Sequence, residues 1–392
     1  MRKVKLLPIV LLFISLSSCT TKHEEKKETL SESANDSVKL VESHDVFFEL
    51  DKETSLKTSF ITILEKEKDS SILVYLNEQK PAIYFYDINN QKLLNQILLH
   101  KEGPNAVGTP TGLFIQSMDS IYVISSSYYR VTLINGLGEA IRTYRLLGDD
   151  KPNVNTGMLR PFTISPPVVI DKKMYFNVAP DRDVYDKSYY NGNVNLVLNL
   201  NNGDFEYFNS YPKEFNDGVW GVAAVNFSSA FVKHKNQFVY SFSISDSIYV
   251  FDVDNKKIKG YLSKTSSLTA PQEPMRKPSN QYDLRYALQA TYYDGIIYDK
   301  YREVYYRFVR HPLSLQEDES PNFYDFHRKP ISVIILDRKF NKIGETKLKN
   351  NTYQSFMYFL SKDGLYISNS NPNNPDVKED KAGFTCFKLE EI

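Results

Sequence analysis

Cysteine is almost missing from this chain. Two in 392 residues, Cys19 and Cys386, exclude a disulfide-stapled scaffold and a cysteine metal cluster. Tryptophan occurs once, at Trp220. Net charge is absent as well: 48 Lys and Arg stand against 48 Asp and Glu. That balance argues against nucleic acid or an anionic membrane face as partner. Beyond the first residues no stretch is long and apolar enough to span a bilayer. The familiar catalytic signatures are also missing. There is no Gly-x-Ser-x-Gly elbow, no His-Glu-x-x-His helix and no phosphate-cradling glycine loop. Gly136-Leu137-Gly138 lacks a third glycine, and Glu317-Asp318-Glu319 lacks the central glycine and alternating oxygens of a calcium loop.

What is present begins at the N-terminus. Arg2, Lys3 and Lys5 precede an apolar stretch from residue 6 to 16, which ends in Leu16-Ser17-Ser18-Cys19. This is the layout of a bacterial secretory signal, with Cys19 where a lipoprotein signal peptidase cuts. Residues 1–18 are therefore expected to be removed and Cys19 to carry lipid. Removal takes three basic and no acidic residues, leaving a formal charge of about −3. Acyl chains anchor by burying methylenes, each worth about 0.8 kcal/mol, and several together hold where one does not. Residues 19–43 are rich in Lys, Glu, Ser and Thr and poor in rings, the composition of a disordered tether. Thr20 is not an aspartate, which by analogy with sorting rules points away from the inner membrane. Lys22-His23-Glu24-Glu25 resembles the export signal of surface lipoproteins. Location is expected at the outer membrane, facing either the cell surface or the periplasm.

Residues 44–392 read as a single all-β domain. Aromatic and β-branched runs alternate with Asn, Asp and Gly clusters, which are strand and turn signals. One pattern is an apolar strand ending in Asp or Asn before a turn. It occurs at 83–87, 131–135, 196–199, 248–252 and 333–337, and a sixth copy at 384–388 stops at the C-terminus. A second pattern delivers an apolar residue from a polar turn at positions 72, 121, 174, 238, 304 and 365, which are 49 to 66 residues apart. A period of that size with about four strands per unit predicts a β-propeller. The last unit lacks an outer strand, and one orphan strand, 46–50, stands at the start. The expected fold is a six-bladed β-propeller of four-stranded blades with the N-terminal strand completing the last blade, leaving no open sheet edge. A seven-bladed propeller and a β-sandwich are the alternatives.

Long connections fall on one side of such a wheel: residues 100–111, 148–161, 179–193, 211–226, 263–283, 311–330 and 369–383. Long irregular segments on a rigid scaffold are where recognition resides. Within them Trp220, flanked by Gly218 and Gly221, is a candidate stacking platform or a plug for the channel. Arg182 and Tyr190 belong to a patch that mixes charge with rings. Arg310 and His311 follow a strand directly and face the mouth. Asn105 lies in Glu102-Gly103-Pro104-Asn105, a fixed turn after the first blade. That turn, the lipobox and the Asp- or Asn-ended hairpins together resemble a family of Bacteroidota propeller lipoproteins with a domain of unknown function. The resemblance covers essentially all of the mature chain. It implies fold and location and transfers no catalytic residue.

The expected function is a non-enzymatic binding or scaffolding lipoprotein that recognises a peptide, glycan or envelope partner. The alternative is a metal-dependent lactonase, lyase or hydrolase. No cofactor is predicted, although a propeller can assemble a divalent-metal site in its channel from one His or Glu per blade.

Overall fold

The computed structural model describes residues 36–65, 71–147, 157–268 and 272–392. Cys19, the signal segment and the first part of the expected tether lie outside them. Six antiparallel sheets form the wheel. Blade one runs Ile61–Glu65, Ser71–Asn77, Ala82–Asp87 and Leu93–Leu98 from the axis outward. Blade two runs Gly112–Ser117, Ser120–Ser125, Arg130–Ile134 and Ala140–Arg145. Blade four is Phe227–Val232, Gln237–Phe242, Ser247–Asp252 and Lys257–Leu262, and blade five is Tyr292–Asp299, Val304–Arg310, Ile331–Leu336 and Lys342–Lys347. Blade six has Tyr358–Leu360, Leu365–Ser368 and Lys381–Glu391, and Val38–Glu49 supplies its outer strand.

The sequence patterns have a physical basis at each turn. The Asp or Asn that ends a third strand accepts backbone N–H groups of the following turn. Asp87 takes Asn90 N at 2.8 Å, Asn135 takes Glu139 N at 2.9 Å, and Asn199 takes Asn201 N at 2.9 Å. Asp252 and Asp337 do the same for Asn255 N at 3.0 Å and Lys339 N at 2.8 Å. These are Asx turns, which reverse the chain without help from the sheet.

Both faces of each blade are buried. In Ser71–Asn77, Ile72, Val74 and Leu76 face blade two, while Leu73 and Tyr75 face blade six. Period-two alternation thus feeds two cores rather than a core and solvent. Six hydrophobic clusters result, one at each blade-to-blade seam. The seam between blades four and five also holds Arg307, which is fully buried. Its Nε donates to Ser241 Oγ at 2.9 Å and its Nη1 to Ser263 O at 2.7 Å, with the Tyr293 ring 3.7 Å from its centre. Burial pulls this guanidinium down to about 10, and its four hydrogen bonds, two of them from Nη2 to Ser245 O and Ser247 O, keep the cost of burying it tolerable.

Closure follows the expected route, with Val46 opposite Phe384 and Phe47 opposite Gly383. The closing strand is longer than expected. Residues 38–43, read from composition as tether, are strand. Leu40 is buried in the seam between blades five and six, Ser37 N donates to Ile343 O at 2.8 Å, and Leu40 N donates to Thr346 Oγ1 at 2.8 Å. Tertiary pairing overrides a polar composition here.

Blade three departs from the regular plan. Its second, third and fourth strands are Lys173–Pro180, Asn193–Asn199 and Phe205–Ser210. Its innermost strand is split into Gly157–Leu159 and Val168–Ile170, both paired with Lys173–Pro180. The intervening residues 160–167 leave the sheet and cross the axis. Thr163 N donates to Ser59 O at 3.0 Å and Thr163 Oγ1 receives Ile61 N at 2.8 Å, so the segment reaches blade one. Ser229 N donates to Ile164 O at 3.0 Å on blade four. On the blade-two side Pro161 lies against Gly112, where a Cβ would stand 2.3 Å from Pro161 O. Pro161, Pro166 and Pro167 remove ladder donors on either side of the crossing, which favours departure from the sheet.

Candidate functional site

A cavity of about 1110 Å³ opens on the face that carries the long connections. Its floor is the crossing segment, through Phe162 and Ile164. Its wall comes from separate blades: Ser59 and Glu78 from blade one, Asn226 from the approach to blade four, Tyr292, Asp294 and Arg310 from blade five, and Gln354 and Phe356 from the approach to blade six. Phe326 and His327 overhang it from the 311–330 connection, and Asn374 and Val377 from the 369–380 connection. The size and the mixture of rings with a few polar groups are those of a small-molecule site.

The polar groups form a connected set. Arg310 Nε donates to Asp294 Oδ2 and to Ser355 Oγ, each at 2.7 Å, and Arg310 Nη2 forms an ion pair with the same carboxylate. Ser355 also donates to Asp294. Across the floor Arg160 Nη2 donates to Asn226 Oδ1, and its guanidinium stacks over Phe162 at 4.9 Å. Arg160 Nε is buried with no hydrogen-bond partner. Burial pulls the Arg160 guanidinium below its ordinary value. Burial also pushes Tyr292 up. His327 is lowered, chiefly by burial and then by the cations Arg310 and Lys57. Glu78 is engaged elsewhere, accepting from Ser59 N at 2.7 Å and Ser59 Oγ at 2.6 Å.

The rim is held by three latches. The helix Asn280–Gln289, here α1, lies in the connection ahead of blade five. Its Asp283 accepts Val222 N at 3.1 Å and Tyr185 Oη at 2.8 Å, joining three connections. Burial raises this carboxyl. At the other end of α1, Lys329 Nζ donates to Ala287 O at 2.9 Å, Leu288 O at 2.8 Å and Ala290 O at 2.7 Å. A cation on orphan carbonyls is the favourable partner for a helix C-terminus. Desolvation nevertheless pulls Lys329 down to about 7, with Arg310 adding to the fall. The third latch is Asn371 Nδ2, which donates to His327 O at 3.0 Å and Tyr353 O at 3.1 Å.

The residues singled out from sequence separate into two groups. Arg310 lines the cavity. The others stand outside its wall. Trp220 is buried in the seam between blades three and four. Its Nε1 donates to Phe215 O at 3.1 Å, and its backbone N donates to Tyr190 Oη at 2.7 Å. Tyr190 is buried in the same cluster. The ring is turned inward against Phe215, and it is residues 160–167, not Trp220, that cross the axis. Arg182 is on the surface, with Nη1 donating to Ser188 O at 2.7 Å. Asn105 Oδ1 receives Ala140 N at 3.2 Å and braces the outer strand of blade two. His311 sits beside the cavity in its own network, with Nε2 bonded to Ser332 Oγ at 2.8 Å and Nδ1 to Ser267 Oγ at 3.0 Å. Ser332 Oγ then donates to Glu345 Oε1 at 2.7 Å.

Sequence reasoning missed Arg160, Asp294, Lys329 and α1. Prolines around residues 160–167 were the available signal for the plug. Among the described residues no three His, Cys, Asp or Glu side chains gather in a group that could hold a metal ion. No helix among them is long and apolar enough to cross a membrane.

Comparison with known proteins agrees with this architecture. No curated protein matches the chain. A solved structure of a DUF4221 family member from Bacteroides vulgatus is 29% identical, covering 91% of this chain and 99% of that one, with a TM-score of 0.78. A structure described as a putative exported protein from Bacteroides fragilis is 11% identical, covering 90% and 95%, with a TM-score of 0.54, and shares the fold. The family described as Domain of unknown function (DUF4221) matches residues 37–347, from the closing strand to the last strand of blade five. This chain, a six-bladed propeller with a floored cavity at its loop-bearing face, therefore belongs to the DUF4221 family.

Proposed function

We propose that the protein is an envelope lipoprotein whose propeller binds a ligand in the mouth cavity and does not transform it. The observation that carries this reading is the floored cavity itself, walled by four blades and closed below by the crossing segment. A bowl that is rigid, part apolar and part polar binds by preorganisation. The anchor is read from Leu16-Ser17-Ser18-Cys19, with lipid on Cys19 and the body at the outer membrane. A peptide or glycan segment small enough for the bowl is the class of ligand proposed.

Two measurements test the reading. Val377→Trp fills the cavity from its rim. Binding to peptide and glycan arrays should be lost in this variant, and unchanged binding would remove the cavity from the function. Cells fed labelled palmitate should label the full-length protein but not Cys19→Ser. Equal labelling would refute the anchor.

A further inference from the structure

The rim of the cavity displays a ring that the core does not use. Phe323 lines the cavity and is 73% exposed. A lone exposed apolar side chain is ordinary, but this one is held in place at the mouth of a bowl. It opens the short 3-10 turn Phe323–Arg328, which is pinned by its own side chains. Tyr324 N donates to Asn322 Oδ1 and Asn322 N to Asp325 Oδ2, each at 2.8 Å, and Arg328 Nη1 pairs with Asp325 Oδ1 at 2.8 Å. The wall of the cavity has hydrogen-bonding capacity left over. Glu78 accepts through Oε1, Asp294 accepts through Oδ2, and Gln354 donates through Nε2 to Ser370 O. Glu78 Oε2, Asp294 Oδ1, Gln354 Oε1 and both ring nitrogens of His327 have no partner among the described residues, and none of these atoms is enclosed. Arg310 Nη1 is open in the same way, beside Asp294.

We propose that the cavity binds a neutral oligosaccharide, with one pyranose ring stacked on Phe323 and the adjoining sugar seated in the bowl against Glu78, Asp294, Gln354 and His327. The inference rests on the cavity being a ligand site and narrows its ligand from peptide or glycan to one class. A pyranose has an apolar C–H face bounded by hydroxyls, which suits an aromatic platform above a polar wall. Each hydroxyl both donates and accepts, which matches the open Oδ1 and Nη1 of the Asp294–Arg310 pair. A peptide would take main-chain partners along an open strand edge. Here such groups at the floor are spent on the crossing segment: Ser59 O receives Thr163 N, Ile61 N goes to Thr163 Oγ1, and Ser229 N goes to Ile164 O. Charge favours a neutral sugar over an acidic one. Arg310 and Asp294 cancel, which leaves Lys57 against Glu78 and Glu379 in the lining.

The test presents neutral glycans, acidic glycans and tetrapeptides on one array to the full-length protein in detergent. Neutral glycans should bind, and Val377→Trp should abolish that binding. The tightest neutral glycan, titrated by calorimetry, should bind about five-fold more weakly to Phe323→Ala. Phe323→Leu, which keeps apolar bulk without a ring, should lose as much, and Phe323→Trp should bind at least as tightly as wild type. The ring is exposed, so all three variants should fold as wild type does. Equal neutral-glycan affinity in wild type and Phe323→Ala would overturn the proposal. Binding of tetrapeptides alone, lost in Val377→Trp, would overturn it while leaving the cavity as a ligand site. A preference for acidic over neutral glycans would overturn it as well. Neutral-glycan binding that survives Val377→Trp, or no binding of any probe, would overturn it together with the cavity reading.

Discussion

Replacing Phe48 with alanine interrogates the closure on which the whole wheel depends. Phe48 belongs to the N-terminal strand and has no exposed surface. Its ring meets Tyr86 of blade one edge-on at 5.5 Å and Phe384 of blade six at 6.0 Å. The side chain is therefore a bridge between the first and last blades, contributed by a segment more than 300 residues from its partner in sequence. Truncation removes its transfer free energy and leaves a cavity that the flanking rings fill poorly, at a cost of about 3–5 kcal/mol. Part of this is the pair with Phe384, and a double-mutant cycle with Phe384→Ala should return a coupling of roughly 0.5–1.5 kcal/mol. The assay is urea unfolding followed by near-ultraviolet dichroism, comparing midpoints at unchanged slope. Phe323→Ala, at an exposed ring on the rim, serves as control and should shift stability by less than about 0.5 kcal/mol. A Phe48→Ala protein within about 1 kcal/mol of wild type would refute the reasoning. It would mean that the N-terminal strand is an appendage and that blade six is complete without it.

Lys329→Met removes the cation from three carbonyls at the end of α1 and should cost about 2–4 kcal/mol. Hydrogen exchange should accelerate in α1 first, and an unchanged rate there would refute the latch. Gly221→Ala should destabilise by about 1–3 kcal/mol, since φ is +60 and the new Cβ would stand 2.3 Å from Asp283 Oδ1. Thermal unfolding checks this, with Gly203→Ala, where φ is +88 in a roomier turn, as the milder comparison. The Glu345 carboxyl is held down to about 2 against the opposing effect of burial, by Lys342, the Ser266 N–H and the hydroxyls of Thr265 and Ser332. Its folded value lies below its unfolded one, so its contribution is complete above pH ~4.5 and is lost as pH falls toward 2. The loss is about 3 kcal/mol. Glu345→Gln should flatten stability over that window, and an unaltered acid limb would reject the assignment.

How much of this was legible depends on whether a feature is local. In blades one to five the third strand ends at an Asp or Asn whose side chain closes its own turn, and that signal survives in a single sequence. Blade count, closure and the sidedness of the connections follow from it. The site is not local. Arg160 and Asn226 are 66 positions apart, and Ser355 and Asp294 are 61 apart, so no spacing rule brings them together. Trp220 shows the converse error. Glycines on both sides suggest a displayed ring, yet the indole packs onto Phe215 in the seam between blades three and four. Helix α1 had a readable start in Ser279 followed by Asn280–Gln289, with Asp283, Ala287 and Leu288 on one face. It was masked by its position inside a long connection. The early start of the closing strand was hidden for another reason. Val38, Leu40 and Val41 are interrupted and followed by Lys39, Glu42 and Ser43, and the partners of Leu40 lie in blades five and six.

The crossing segment changes what the wheel can do. An open axial channel admits solvent from both faces, and a ligand in it is solvated at both ends. Here Thr163 is bonded to blade one and Ile164 to blade four, so the axis is spanned by hydrogen-bonded backbone. The bowl lies above it. Asp283, Lys329 and Asn371 tie the walls of its mouth to each other and to the blades beneath. Ordering entropy that a floppy rim would lose on binding is already lost on folding. On the proposed reading, a walled and floored bowl of this kind spends its binding energy on recognition rather than on ordering its own rim.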